Sequence, residues 1–247
     1  MVDKRAAICQ AYGKLLMKVV ILAAGKGSRL NHSEGHDPKA LTRLINRQTI
    51  LEYQLNALKT CISLDQVFIV VGYQKEKIMD IFPELLYVYN PDFEQENTAK
   101  SLARALKKID EDVLWINGDV IFYPSILKTL LEFDQTAMIV NRTKVAEEEV
   151  KYRTHKNGQI IEISKTVEFP EGEALGINFY KKRDLNLLKE SLNICEKQDY
   201  FEKAIEKCIK KGQVVQPILI EIDQCAEIDF PEDLVKVNQL LQAWQNF

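Results

Sequence analysis

Lys18-Val19-Val20-Ile21-Leu22-Ala23-Ala24-Gly25-Lys26-Gly27-Ser28-Arg29-Leu30 is the stretch that decides the fold. Lys18 to Ala24 is a short apolar run rich in β-branched residues, which predicts a buried strand of a parallel sheet. Gly25 to Arg29 is a glycine-rich turn with two cations and a hydroxyl. Glycine lets a backbone approach a ligand closely. Successive N–H groups in such a turn form a nest for anions, and Lys26 and Arg29 add full charges. A phosphate-bearing ligand suits this chemistry; the alternative is a tight strand-to-loop turn with solvated charges. Spacing excludes two familiar phosphate loops. A Walker A loop needs four residues between its first glycine and Gly-Lys-Ser/Thr. A dinucleotide fingerprint needs a third glycine where Leu30 stands.

Outward from this stretch, strands and helices alternate. Apolar runs at Gln66–Gly72, Leu85–Tyr89, Val113–Ile116 and Thr136–Asn141 read as strands. Helical spacing covers Thr49–Cys61, Lys75–Phe82, Thr98–Ile109 (capped by Asn97 or Thr98) and Ser125–Phe133. This order predicts an α/β fold with a doubly wound, mostly parallel or mixed sheet, whose ligands bind outside the carboxyl ends of the strands. The glycine-rich loop, Gly72 and Asp119 all fall at such ends. From about residue 145 the pattern changes to a hairpin (150–155 and 159–163), a strand (174–180), helices near 185–192 and 200–210, a strand (214–222) and a terminal helix from Pro231 to Trp244. The expected organisation is an extension at 1–16 and one domain at 17–247, with a small acceptor-binding lobe at roughly 145–225. Residues 1–16 lack the apolar core of a signal peptide. Met17 is expected to be the true start of translation, or residues 1–16 a dispensable helical extension.

Bulk composition narrows the class. The 247 residues are 46% hydrophobic and 28% charged, with a formal net charge of −3. No long basic run suggests nucleic acid or an anionic membrane, and no apolar stretch reaches transmembrane length. Five scattered cysteines form no Cys-x-x-Cys pair, which fits reduced thiols in the cytoplasm. His32 and His36 stand at i, i+4, but Gly35 and Pro38 make that segment a loop, a poor metal site.

Two acids stand out. Asp119 follows a bulky apolar strand in Asn117-Gly118-Asp119, where it could reach a cation or make an Asx-turn. Asp229, in Glu227-Ile228-Asp229-Phe230-Pro231, could bind metal, cap the helix that follows, or both. Magnesium takes one or two carboxylates plus substrate phosphates, so two converging Asp residues would serve.

Leu-Ala-Ala-Gly-x-Gly-x-Arg with the later Pro38-Lys39 resembles the nucleotidyltransferase superfamily, whose enzymes activate phosphorylated sugars and alcohols as nucleoside diphosphate conjugates. The resemblance runs from Met17 to about Leu241. It implies a Rossmann-like fold and Mg2+ held by Asp119 and Asp229. It places the nucleotide at Leu22, Ala23, Ala24, Gly25, Lys26, Gly27, Ser28 and Gly72. Arg29 and Lys39 become catalytic, stabilising phosphate charge. Lys165 resembles a lysine that grips the acceptor phosphate, although a lysine after a hairpin is usually solvated. Val70-Val-Gly-Tyr73, Asn90-Pro91 and the Glu-Ile-Asp ending look most like the cytidylyltransferases for phosphocholine and related phosphonates. Asn97 and Ser101 lie where that branch has an Asn and a Ser. In place of that branch's Leu-Thr-x-x-x-Pro-Lys, Asn31 to Asp37 is polar and rearranged.

The implied partners are a nucleoside triphosphate, CTP first, and a phosphorylated small-molecule acceptor; a homo-oligomer is compatible. Acceptor contacts are expected near Glu173 and Gly176. Tyr152, Phe169, Tyr180, Tyr200 and Phe201 are either core aromatics or members of a cage for a quaternary ammonium. The competing readings are a sugar-1-phosphate enzyme using UTP, dTTP or GTP, and a non-catalytic nucleotide-binding relative. A glycosyltransferase of similar fold would usually carry Asp-x-Asp, of which Asn117-Gly118-Asp119 has only the second acid.

Overall fold

In the computed structural model the described residues are 17–30, 36–142, 145 and 147–244. The expectations for residues 1–16 and for His32 lie outside them. The strands are β1 (Met17–Ala23), β2 (Val67–Val71), β3 (Leu86–Tyr89), β4 (Asp112–Asn117), β5 (Val120–Phe122), β6 (Ala137–Val140), β7 (Lys151–Thr154), β8 (Ile160–Ser164), β9 (Gly172–Tyr180), β10 (Gln216–Leu219) and β11 (Cys225–Glu227). The helices are α1 (Ile50–Leu58), α2 (Lys75–Ile81), α3 (Thr98–Leu106), α4 (Ser125–Glu132), α5 (Leu185–Asn193), α6 (Phe201–Lys210) and α7 (Pro231–Trp244).

β1 sits inside the sheet, parallel to β2 on one side and β4 on the other. Its alternation is filled on both faces. Val19, Ile21 and Ala23 join the core beneath α1, α2 and α4, while Val20, Leu22 and Ala24 join the core beneath α3, α5 and α6. That is why the run reads as continuously apolar. The order β10-β6-β9-β4-β1-β2-β3 gives the mixed, doubly wound sheet expected. Its mixed character comes from β9, which runs antiparallel between β4 and β6. The chain after residue 145 therefore builds part of the central sheet as well as the β7–β8 hairpin, which also pairs with the start of β9.

Two features differ from the sequence reading. The strand expected over 214–222 is shorter: it spans Gln216–Leu219, and the Ile220 amide donates to the carbonyl of Val140, where β6 ends. A two-stranded antiparallel ribbon of β5 and β11 was not foreseen; each strand is only three residues long, too short for periodicity to register. The ribbon packs against α7 through Ile121, Ile228, Val237 and Leu241, all buried. No described helix is long and apolar enough to cross a membrane.

Candidate active site

The glycine-rich loop leaves the carboxyl end of β1 and is shaped around one side chain. Gly27 has φ +69°, and a Cβ there would lie 2.5 Å from the Cβ of Lys39. Glycine is thus required by both conformation and contact. Pro38 directs the chain into a short turn at Lys39–Leu41, which carries Lys39 under the loop. The Lys39 ammonium donates to Asp119 Oδ2 at 2.7 Å and to Asp229 Oδ1 at 2.6 Å, with its side chain only 13% exposed. Burial opposes the charge on Lys39, but the two carboxylates outweigh it and raise its pKa. Arg29 extends the array, 3.0 Å from Asp229 Oδ2 and 3.4 Å from Glu148.

The β5–β11 ribbon brings the two acids together across 110 residues of chain. Glu227 pairs with Val120, and the Ile228 amide donates to the Asp119 carbonyl at 3.0 Å. Gln54, fully buried on α1, donates its amide to the carbonyls of Asn117 and Val120, each at 2.8 Å, and so braces the turn that bears Asp119. Lys39 Nζ caps one oxygen of each acid. Asp119 Oδ1 is buried without a hydrogen-bond partner, and such an oxygen asks for a further cation or donor.

An open cleft of about 1160 Å³ runs along this array. Leu22, Ala23, Gly25, Gly27, Ser28 and Arg29 line one end; Asn97 and Thr98 line the cleft beside Tyr200, the Phe201 amide donating to Thr98 Oγ1 at 3.0 Å. Asn97 caps α3, its side-chain oxygen accepting from the Thr98 amide at 2.8 Å. Lys165, Glu173 and Tyr200 line the other end, and Lys39, Asp119 and Asp229 stand between. Five other predicted residues do not line the cleft. Ala24 and Gly72 pack together behind the loop, where a Cβ on Gly72 would meet the Ala24 carbonyl at 2.6 Å. Ser101 is buried and accepts from Asn90 at 3.1 Å. Lys26 points out to Glu94, 2.6 Å away. Gly176, φ +65°, lies beneath the floor, because a Cβ there would strike Asn117 and Glu227.

Of the two readings of the five aromatics, core placement holds for three. Tyr152, Tyr180 and Phe201 are core residues, and Phe169 is 88% exposed. Of the five, only Tyr200 reaches the cleft, and its ring already carries the Lys165 ammonium at 4.6 Å. Sequence reasoning missed a set of acids here: Glu148, Glu149, Glu202 and Glu227 all line the cleft. Burial, then the neighbouring Glu173 and Asp229, pushes the Glu149 carboxyl up. Burial, then Asp119 and Glu149, pushes Glu227 up further. Burial lifts Glu202 to about 7. Glu227 had a signal in the sequence, since it stands two residues before Asp229. Glu202, in the first turn of an amphipathic helix, had none.

The sequence matches the MobA-like NTP transferase domain over residues 19–185. Among curated relatives, the chain is 34% identical over 120 residues to a CMP-5'-(3-aminopropyl)phosphonate synthase of Streptomyces rubellomurinus, covering 46% of this chain and 19% of that protein. It is 25% identical to a CTP:phosphoglutamine cytidylyltransferase of Campylobacter jejuni (88% and 98% covered). It is 27% identical to the UTP–glucose-1-phosphate uridylyltransferase AglF of Haloferax volcanii (92% and 97% covered). The chain spans about half or less of the length of the first curated relatives it matches. In fold it matches the CTP:phosphocholine cytidylyltransferase of Streptococcus pneumoniae, with a TM-score of 0.77 and 21% identity over 91% of this chain and 99% of that one. With a glycine-rich loop, a buried lysine and two facing aspartates in one cleft, and the family's domain matched across most of the chain, this protein belongs to the MobA-like NTP transferase domain family.

Proposed function

We propose that this protein transfers a nucleotide, CMP from CTP, to the phosphate of a small phosphorylated alcohol or to a phosphonate, releasing pyrophosphate. The observation that carries this reading is Lys39, held under the glycine-rich loop between Asp119 and Asp229. An acceptor oxygen attacks the α-phosphorus. A new P–O bond forms, the bond to the bridging oxygen breaks, and its electrons leave with pyrophosphate. A phosphate monoester's second pKa is about 6, so the nucleophile is largely anionic at neutral pH and needs no general base. The chain's task is to align two anions and screen their repulsion. The Gly25–Ser28 turn offers backbone N–H groups. Lys39 and Arg29 offer charge, and the raised pKa of Lys39 keeps it protonated throughout. Gly25 has open space around it, so its lack of a side chain answers to no neighbour in the fold and suits a ligand lying against the loop.

Mg2+ fits the residues present: two carboxylates converge and one buried oxygen of Asp119 has no partner. Asp119 and Asp229 would hold the ion. When bound, it supplies charge neutralisation to the triphosphate. A cytoplasmic location suits the free thiols of Cys195, Cys208 and Cys225. The second reading is a sugar-1-phosphate nucleotidyltransferase, favoured by the match to AglF along nearly the whole of both chains.

Pyrophosphate release measured with each triphosphate against phosphocholine, 2-aminoethylphosphonate and sugar 1-phosphates separates the two. The expected result is release that requires CTP, a divalent cation and a phosphoalcohol or phosphonate. Release only with another triphosphate and a sugar phosphate would establish the second reading instead.

A further inference from the structure

The acceptor end of the cleft contains a carboxylate with one oxygen that has no hydrogen-bond partner among the described residues. Glu202 is 7% exposed, lies in the first turn of α6 and lines the cleft. Its Oε2 is buried with no hydrogen-bond partner. Leaving a buried acceptor unpaired is costly, about 1–3 kcal/mol and more for a charged group. Glu149 and Glu173 line the same end, with Lys165 as the nearby cation. This wall is over-supplied with acids and short of donors.

A hydroxyl could pair with this oxygen, but a ligand that also balances the wall's charge brings a cation carrying donors. Two kinds of cation are possible in principle. A quaternary ammonium has no N–H and is recognised by aromatic faces. The only aromatic rings lining the cleft among the described residues are Tyr200 and Phe230, and both are engaged. Lys165 Nζ lies 4.6 Å from the Tyr200 centroid, and Arg29 Cζ lies 5.4 Å from that of Phe230. An ammonium bearing hydrogens can instead donate to a carboxylate oxygen, a short and charge-assisted bond.

We infer that the acceptor carries a protonated amine with N–H groups at the end remote from its phosphate or phosphonate, and that Glu202 Oε2 is the anchor for that amine. This rests on the nucleotidyltransferase reading above and narrows its acceptor class. A small zwitterion would place its anionic end toward Lys165 and its ammonium against Glu202. A sugar phosphate could offer hydroxyl donors but no positive charge, and would leave the carboxylate's charge unmatched.

The test compares three acceptors that differ only at the far end: 2-aminoethyl phosphate, its trimethylammonium counterpart phosphocholine, and 2-hydroxyethyl phosphate. Each is run at saturating CTP with wild-type protein and with Glu202→Gln. Wild-type protein is expected to prefer the primary amine in kcat/KM by roughly tenfold to a hundredfold, the range of one charge-assisted hydrogen bond. Glu202→Gln is expected to erase that preference while changing the hydroxyl acceptor less than about threefold. An equal loss with all three acceptors would mean that Glu202 only positions Lys165, and would overturn the inference. So would a wild-type preference for phosphocholine. Should Glu202→Gln fail to fold, the wild-type ranking still decides. Turnover with sugar 1-phosphates alone would sink both this inference and the reading it rests on. Turnover with CTP and only the hydroxyl acceptor would sink this inference alone. If no acceptor turns over, the function reading fails. Calorimetric binding of 2-aminoethyl phosphate then decides this inference, tight with wild type and weak with Glu202→Gln supporting it, and equal with both refuting it.

Discussion

The two ends of the cleft handle charge in opposite ways. At the loop end, acids and bases are matched: Lys39 serves Asp119 and Asp229, and Arg29 serves Asp229 and Glu148. At the far end, Glu149 and Glu202 are held at raised pKa, and Glu202 keeps a buried oxygen unmet. A region matched in the free protein must re-partner its cations when a polyanion arrives. An unmatched region waits for a ligand that supplies the missing charge. The contrast implies a polyanionic guest at one end and a guest with a cationic part at the other.

Removing the centre of the matched end should have the largest effect. Lys39→Ala is expected to lower kcat by about a hundredfold to a thousandfold, the scale of losing one preorganised transition-state donor. Two facing carboxylates would remain without the ammonium that competes for them, so the same variant should need a lower divalent-cation concentration for half-maximal rate. Steady-state pyrophosphate release across a Mg2+ titration reads both. A kcat within threefold of wild type would remove Lys39 from the chemistry.

The matched end is also the part that the sequence displays openly. Its loop is contiguous, follows the most strongly patterned strand, and carries Gly27, whose conformation and contact with Lys39 both demand glycine. The doubly wound order was legible for the same reason: β1, β2, β4 and β6 are buried on both faces and read as apolar runs. The far end is assembled from single residues, Glu173 on β9 and Glu202 on α6 among them. Periodicity shows that Phe201, Ala204, Ile205 and Cys208 face the core, but not that Glu202 beside them is buried too. The ribbon escaped because three-residue strands carry no pattern, although it joins the two aspartates. The aromatics follow the ordinary rule for large rings: Tyr152, Tyr180 and Phe201 fill the core.

An intermediate effect is expected at Gly27. Alanine there must adopt φ near +69°, costing about 1–2 kcal/mol. Its Cβ would also press on the Lys39 side chain, so the ammonium shifts relative to the two aspartates. Gly27→Ala should lower the denaturation midpoint modestly and reduce kcat by roughly tenfold, as displaced positioning groups do. Gly25→Ala meets no protein atom within 4 Å and should leave stability nearly unchanged while raising KM for the triphosphate. Equal behaviour of the two variants in both readouts would mean that the loop is structural only.

The smallest effect belongs to the unmatched end and is a matter of pH. Burial holds the Glu202 carboxyl at about 7 in the free protein, with Lys165 pulling in the opposite direction. A raised carboxyl pKa means that the group is largely protonated below 7 and becomes an anion as pH rises through it. If Glu202 anchors an ammonium, kcat/KM for an amine acceptor should climb severalfold between about pH 6 and 8. Glu149 and Glu227 border the same cleft and are also raised, so the absolute profile mixes several groups. The acceptor phosphate adds its own ionisation near about 6. Dividing the amine profile by that of the hydroxyl acceptor removes the shared terms, because both acceptors present the same phosphate to the same loop. The ratio should still rise through about 7 in wild-type protein and be flat in Glu202→Gln. A flat ratio in both would leave the acidic wall without a role in choosing the acceptor.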